Sequence, residues 1–138
     1  MSVPVSLESL RAEIDRSSSD PYLLTVSDDA APHCVAVAVR WDGDHLAMGA
    51  GTRTRDNAAA RPRVTLLWPP AERGGYSLIV DAMVVATSGT GQGDNQVTVR
   101  PTRAVLHRPA SDPANAQPCG SDCVPLVRSG TDPPPGGG

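Results

Sequence analysis

Apolar and polar residues alternate in short runs through most of this chain, which is the period of half-buried strands rather than of helices. In residues 45–50, Leu46, Met48 and Ala50 share one face and His45, Ala47 and Gly49 the other. Residues 22–27, 34–41, 64–68, 76–87 and 96–107 read as strands for the same reason. In 34–41, Val35, Val37, Val39 and Trp41 form one face. The other, Cys34, Ala36, Ala38 and Arg40, is unusually small. Residues 76–87 are apolar on both faces, so burial of both is expected. Asp81 interrupts them, and a carboxylate there needs a partner, for which an arginine is the natural candidate.

The links between these strands are short. Asp42-Gly43-Asp44 predicts a type I′ hairpin, because Asp-Gly tolerates the positive φ values that such a turn requires. Residues 88–95, Ser-Gly-Thr-Gly-Gln-Gly-Asp-Asn, predict a hairpin loop: their glycine spacing and flanking strands do not fit a dinucleotide motif. Pro101 marks an edge or bulge in the last strand. Helical periodicity is confined to two places. Ser6 can cap a helix in which Leu7, Leu10 and Ile14 recur on one face and which ends by residues 17–20, and a short helix starts near Thr54. Strands with hairpin-length links and so little helix predict a mainly β chain, a small six-stranded antiparallel barrel.

Composition narrows the chemistry. The chain has 138 residues, enough for one core and too few for two, with a formal net charge of -3. All 12 of its basic residues are arginine, so Schiff-base, P-loop and general-base lysines are absent. Two Trp, two Tyr and no Phe leave little for base stacking, and nucleic acid is not an expected partner. Motifs of Ser or zinc hydrolases are missing. No apolar run approaches the roughly 20 residues that span a bilayer, so no membrane association and a cytoplasmic location are expected. Prolines at 109, 113, 118, 125, 133, 134 and 135 are half of the chain's 14, which divides it into a folded domain, 1–108, and a Pro/Gly-rich tail, 109–138.

Candidate chemistry concentrates between the strands 45–50 and 64–68. Gly51 permits a sharp turn, a helix start offers free backbone amides, and Arg53, Arg55, Arg61 and Arg63 follow closely. Guanidinium forks fit phosphate or carboxylate oxygens. The same residues also read as a solvated basic turn.

Thr52-Arg53 and, eight residues on, Arg61-Pro62-Arg63-Val64-Thr65-Leu66-Leu67-Trp68-Pro69 resemble the flavin-phosphate segment of the pyridoxamine 5′-phosphate oxidase family. The resemblance implies an FMN-binding split β-barrel that is typically dimeric. It places Thr52 at the family's serine and Arg53 at its arginine, while Thr54 stands where the family has lysine and Arg55 is the candidate replacement. It also implies that the isoalloxazine lies against the small face of 34–41, at Ala36 and Ala38, with Trp68 closing the segment. The implied function is an FMN-dependent oxidoreductase acting on a small molecule, as a homodimer. A pyridoxamine-phosphate oxidase proper is not implied, because His33 and Arg40 only partly match that enzyme's basic pair and the tail lacks its Arg-Leu-x-Pro segment. F420-dependent reduction on the same fold, or non-catalytic binding of FMN, haem or a metal, are the alternatives.

The tail carries its own candidate. Cys119 and Cys123 have a spacing compatible with two thiolate ligands to zinc or copper, with His107, Cys34 or His33 to complete the set. They equally read as idle thiols or a local disulfide. The apolar residues 124–127 could dock on the barrel.

Overall fold

In the computed structural model, which describes residues 3–89, 94–109 and 121–122, the alternating runs become strands and the two helical patterns become helices. In chain order these are β1 (Val3–Val5), α1 (Leu7–Arg16), β2 (Tyr22–Val26), β3 (Pro32–Ala36), β4 (Val39–Asp42), β5 (His45–Gly49), α2 (Thr52–Ala60), β6 (Arg63–Trp68), β7 (Ser77–Ser88), β8 (Gln96–Pro109) and β9 (Ser121–Asp122). Strand pairing runs β3-β2-β6-β7-β8-β5-β4, with β1 and β9 also on β8.

Among the described residues there are nine strands where six are predicted. Residues 34–41 are not one strand: β3 pairs β2, β4 pairs β5, and Val37 and Ala38 lie between. The two ends of the pairing path are therefore consecutive in sequence and separated by those two residues alone. β1 escaped prediction because it is three residues with a central proline. Pro4 is exposed at a sheet edge, where a missing amide costs nothing, and Val3 and Val5 are buried on either side of it.

The chain divides into two compact units, residues 1–19, 68–79 and 103–138, and residues 20–67 and 80–102. In the second unit, cross-strand pairs form the core: Leu23 opposite Leu66, Leu46 opposite Val99 and Met48 opposite Val97, all fully buried. Burial of each such side chain contributes about 1.5–3 kcal/mol. In the first unit, Val3, Val5, Leu10, Ile14, Trp68, Leu78 and Leu106 are buried. Ser6 caps α1 as expected, its Oγ accepting from the Ser9 amide at 3.3 Å. Leu7, expected on the buried face, is 51% exposed, since only Leu10 and Ile14 turn inward.

Two further expectations need correction. The Asp42 hairpin has positive φ at Gly43 only, so Asp44 keeps an ordinary backbone and the turn is not type I′; glycine at the first central position is the type II′ pattern. β7 is buried on one face, through Leu78, Val80 and Ala82, whereas Ile79 and Met83 are half-buried and Val85 is 44% exposed. Among its contacts, Asp81 accepts from the Thr65 hydroxyl at Oδ1, 3.0 Å, and from the Thr102 hydroxyl at its main-chain oxygen, 3.1 Å. Pro101 is buried in β8, between the stretch paired to β5 and the stretch paired to β1, where its missing amide interrupts neither ladder.

Candidate functional site

α2 begins earlier than Thr54, directly on Gly51. Gly51 is the N-cap but has no side chain with which to accept the first amides, so the positive end of a nine-residue helix is left open to a ligand's acceptors. The first turn carries Thr52, Arg53 and Thr54.

Two polar contacts, one buried and one part-buried, seat this helix in the second unit. The His33 Nε2 is 3.2 Å from the Thr54 Oγ1, which ties α2 to β3. The Asn57 amide donates to the Thr25 hydroxyl at 3.1 Å, with both residues buried. At the C-terminal end, Arg61 donates to the Val26 carbonyl and forms an ion pair with Asp28. Arg61 thus anchors the β2–β3 turn and is not a candidate ligand contact.

Beside the helix start lies a cavity of about 320 Å³, bounded by Val35 and Ala36 of β3 and by Val37 just after it, by Gly49 at the end of β5 and Ala50 beyond it, and by Thr52 and Arg53. Its walls are mostly small. A Cβ placed on Gly51 would meet nothing within 4 Å, so the approach to the helix start is open. Arg53 is exposed and donates no hydrogen bond among the described residues. It lies close enough to Asp29 for its charge to help hold that carboxyl below its usual range, after the larger effects of the Ser27 hydroxyl and the backbone amides of Ala31 and Asp29.

Arg55 is employed differently. Its Nη1 donates to the Gly89 carbonyl at 2.8 Å, and its Nη2 to the Thr52 Oγ1 at 3.3 Å. A hydroxyl that accepts from a guanidinium has its own proton directed elsewhere, so Thr52 is set as a donor.

Thr52, Arg53 and Ala36 therefore meet at one cavity, and Arg55 stands behind Thr52. Ala38 is exposed and follows the cavity-lining Val37 without lining it. Trp68 belongs to the first unit, where it is 2% exposed and lines a separate groove. His107 is half-buried near the end of β8, and no group of three or more metal-ligating side chains occurs among the described residues. Cys119 and Cys123 lie outside the described residues. Cys34 is exposed on β3. Sequence reasoning missed His33 as a partner of Thr54 and missed the Thr25–Asn57 pair altogether: polar residues in an arginine-rich stretch do not disclose which of them turn inward.

No family model matches the chain. Two uncharacterized proteins, from Mycobacterium tuberculosis and Mycobacterium bovis, are 42% identical to it over 116 residues, covering 75% of this chain and 82% of each relative. Among solved structures, an FMN-binding protein from Syntrophomonas wolfei superposes with a TM-score of 0.58 at 12% identity, over 72% of this chain and 84% of its own. A pyridoxamine 5′-phosphate oxidase-like protein from Listeria innocua gives 0.56 at 15% identity, over 72% and 96%. An F420 reductase gives 0.50 at 22% identity, over 64% and 90%. Among the described residues, no helix is long and apolar enough to cross a membrane.

Proposed function

This chain belongs to the family of the two mycobacterial proteins and has the split-barrel fold of the pyridoxamine 5′-phosphate oxidase-like proteins, and from that premise we propose that it binds a flavin-type cofactor, FMN in the first instance, and acts as an oxidoreductase on a small molecule. The observation that carries this reading is the coincidence of an uncapped helix start, an uncommitted guanidinium and a small-walled cavity at Gly51–Arg53. Those features fit a phosphate ester joined to a flat ring. Arg53 and the amides of the first turn of α2 would hold the phosphate, with the Thr52 hydroxyl donating to it. Ala36, whose side chain is a single methyl, would let a ring approach the β3 backbone.

When bound, a flavin supplies hydride and single-electron transfer, and the protein supplies position and polarity. Arg53 would neutralise the phosphate charge. Arg55 orients Thr52 and keeps the Gly89 end of the β7–β8 loop beside α2. Arg55→Ala is expected to weaken FMN up to about tenfold, because the Thr52 hydroxyl loses its orientation toward the phosphate but is not removed, and Arg55→Lys to recover part of that loss. Combining Arg55→Ala with Thr52→Val should cost no more than Thr52→Val alone, which isothermal titration of the set would measure.

The cofactor itself is tested by absorbance of the protein as purified, followed by titration with FMN, F420 and haem. Flavin bands, bleached by NAD(P)H or a chemical reductant and restored by air, support the reading. Tight binding of F420 or haem with no measurable FMN binding would replace it with those alternatives.

A homodimer is part of the same reading. The outward face of the second unit's sheet carries Tyr22, 42% exposed, Val26, 37% exposed, and Val85, 44% exposed, with Leu24, Leu67 and Met83 half-buried on the same side. Apolar side chains at this density are what a second copy would cover. Sedimentation at micromolar concentration is expected to show a dimer, and Val85→Arg to shift it to monomer. Monomer alone in the native protein would refute this.

A further inference from the structure

We propose that the outward face of the second unit's sheet carries a separate binding site, for a small zwitterion with an apolar side group, in chemical class an α-amino acid. On the neighbouring strands β6, β7 and β8, Thr65, Asp81 and Thr102 form a polar row. Thr65 lies between the buried Val64 and Leu66, and Asp81 between the buried Val80 and Ala82, so both turn away from the core. Leu24 stands opposite Thr65, with Leu67 and Met83 further along the same face. At the row lies a hollow of about 460 Å³, which Arg63 and Met83 also line. None of these residues lines the cavity at the start of α2, so the proposal is independent of the cofactor reading.

The hydrogen bonds decide what the hollow offers a ligand. The Thr65 hydroxyl donates to the Asp81 Oδ1 at 3.0 Å, and the Thr102 hydroxyl to the Asp81 main-chain oxygen at 3.1 Å. A hydroxyl has a single proton, so both threonine oxygens are left to act as acceptors. With the Asp81 carboxylate beside them, they suit a cationic donor such as an ammonium group. Arg63 offers the opposite. It is an exposed guanidinium that enters no ion pair or hydrogen bond among the described residues, although it shares the hollow with a carboxylate. Its planar fork fits a carboxylate. The Met83 thioether is an adaptable apolar wall that also favours the edge of an aromatic ring. A simple amine would leave the guanidinium unmatched, and a simple acid would leave the acceptors unmatched. An amino acid meets both. The bonds between Asp81 and the threonines, taken as structure alone, call for neither the hollow nor an uncommitted arginine at its edge.

The experiment titrates L-phenylalanine into the full chain labelled with nitrogen-15 and follows the amides of Thr65, Ala82 and Met83. Phenethylamine and hydrocinnamate, which each keep one charged end of the same molecule, are titrated alongside. Saturable shifts are expected with L-phenylalanine, at an affinity at least about tenfold above that of either partial molecule, since each lacks one charge-assisted contact. Arg63→Ala should weaken L-phenylalanine by about tenfold to a hundredfold and leave phenethylamine unchanged, a split that a merely structural role would not produce. Thr102→Val, also at an exposed position, should do the reverse: L-phenylalanine and phenethylamine weaken together and hydrocinnamate does not change. The proposal is overturned if L-phenylalanine gives no saturable shift at about 10 mM, well above a millimolar Kd. It is overturned equally if hydrocinnamate binds as well as L-phenylalanine, or if Arg63→Ala leaves L-phenylalanine affinity unchanged. Met83 also lies on the face assigned to a second copy, so sedimentation accompanies the titration. Shifts that arise only with a change of oligomeric state would assign the hollow to the contact between copies and overturn the ligand site.

Discussion

If the proposed FMN site is right, Arg53→Ala is expected to weaken FMN binding by about tenfold to a hundredfold while the protein stays folded. A hydrogen bond to a charged group contributes on the order of 1.5–3 kcal/mol, and each 1.4 kcal/mol is a factor of ten in affinity. Arg53 is exposed and its side chain enters no core contact, so its removal should change stability by less than about 0.5 kcal/mol. Arg63→Ala is the matched control. That residue is also an exposed arginine, at the start of β6, and it borders a different cavity with Thr65 and Asp81. Its loss should leave FMN affinity unchanged, although it removes the same charge from the same stretch of sequence. Equal affinity of wild type and Arg53→Ala would refute the assignment, and equal losses in both variants would reduce it to a general attraction between anions and arginines. Raising the salt concentration separates the same two cases, because a diffuse attraction is screened over about 8–10 Å while a direct contact is screened much less.

The arginine segment was legible in the sequence because its signal is local: a glycine, hydroxyls and guanidinium groups before a helix. The Ser6 cap of α1 and the turn at Gly43 were legible for the same reason, although the negative φ of Asp44 depends on how β4 and β5 twist and not on the dipeptide. The break at Val37 and Ala38 was not. Inward positions continue through it at period two, His33, Val35, Val37, Val39 and Trp41, so alternation is the same on either side of the break. What changes is the partner, from β2 to β5, and partners are chosen by contacts distant in sequence. The main-chain bond from the Val37 amide to the Pro21 carbonyl, 3.0 Å, belongs to that distant set. The division of labour among four similar arginines was equally hidden. Arg61 reaches Asp28 and Arg55 reaches Gly89, and only the folded chain shows that Arg53 makes neither kind of contact.

Asn57→Ala destabilises the protein by about 1–3 kcal/mol, the cost of a buried hydroxyl losing its partner, and lowers Tm by roughly 4–8 °C for each 1 kcal/mol. Thr25 is 1% exposed and Asn57 6% exposed, so water cannot replace the lost amide. The pair joins the middle of α2 to β2, while His33 and Thr54 join its first turn to β3. Loosening the first link leaves the helix held at one point near the site, so FMN affinity should fall as well, by a smaller factor than in Arg53→Ala because no ligand contact is removed. The double variant Thr25→Val with Asn57→Leu tells a lost hydrogen bond from lost packing. Replacing both partners by apolar groups of similar shape can be nearly neutral, so the double variant should be more stable than Asn57→Ala alone. Thermal unfolding of the three proteins measures this coupling. If the double variant is no more stable than the single one, the hydrogen bond is not what seats α2, and the geometry of the helix start must be held by His33 and the buried Ala58 instead.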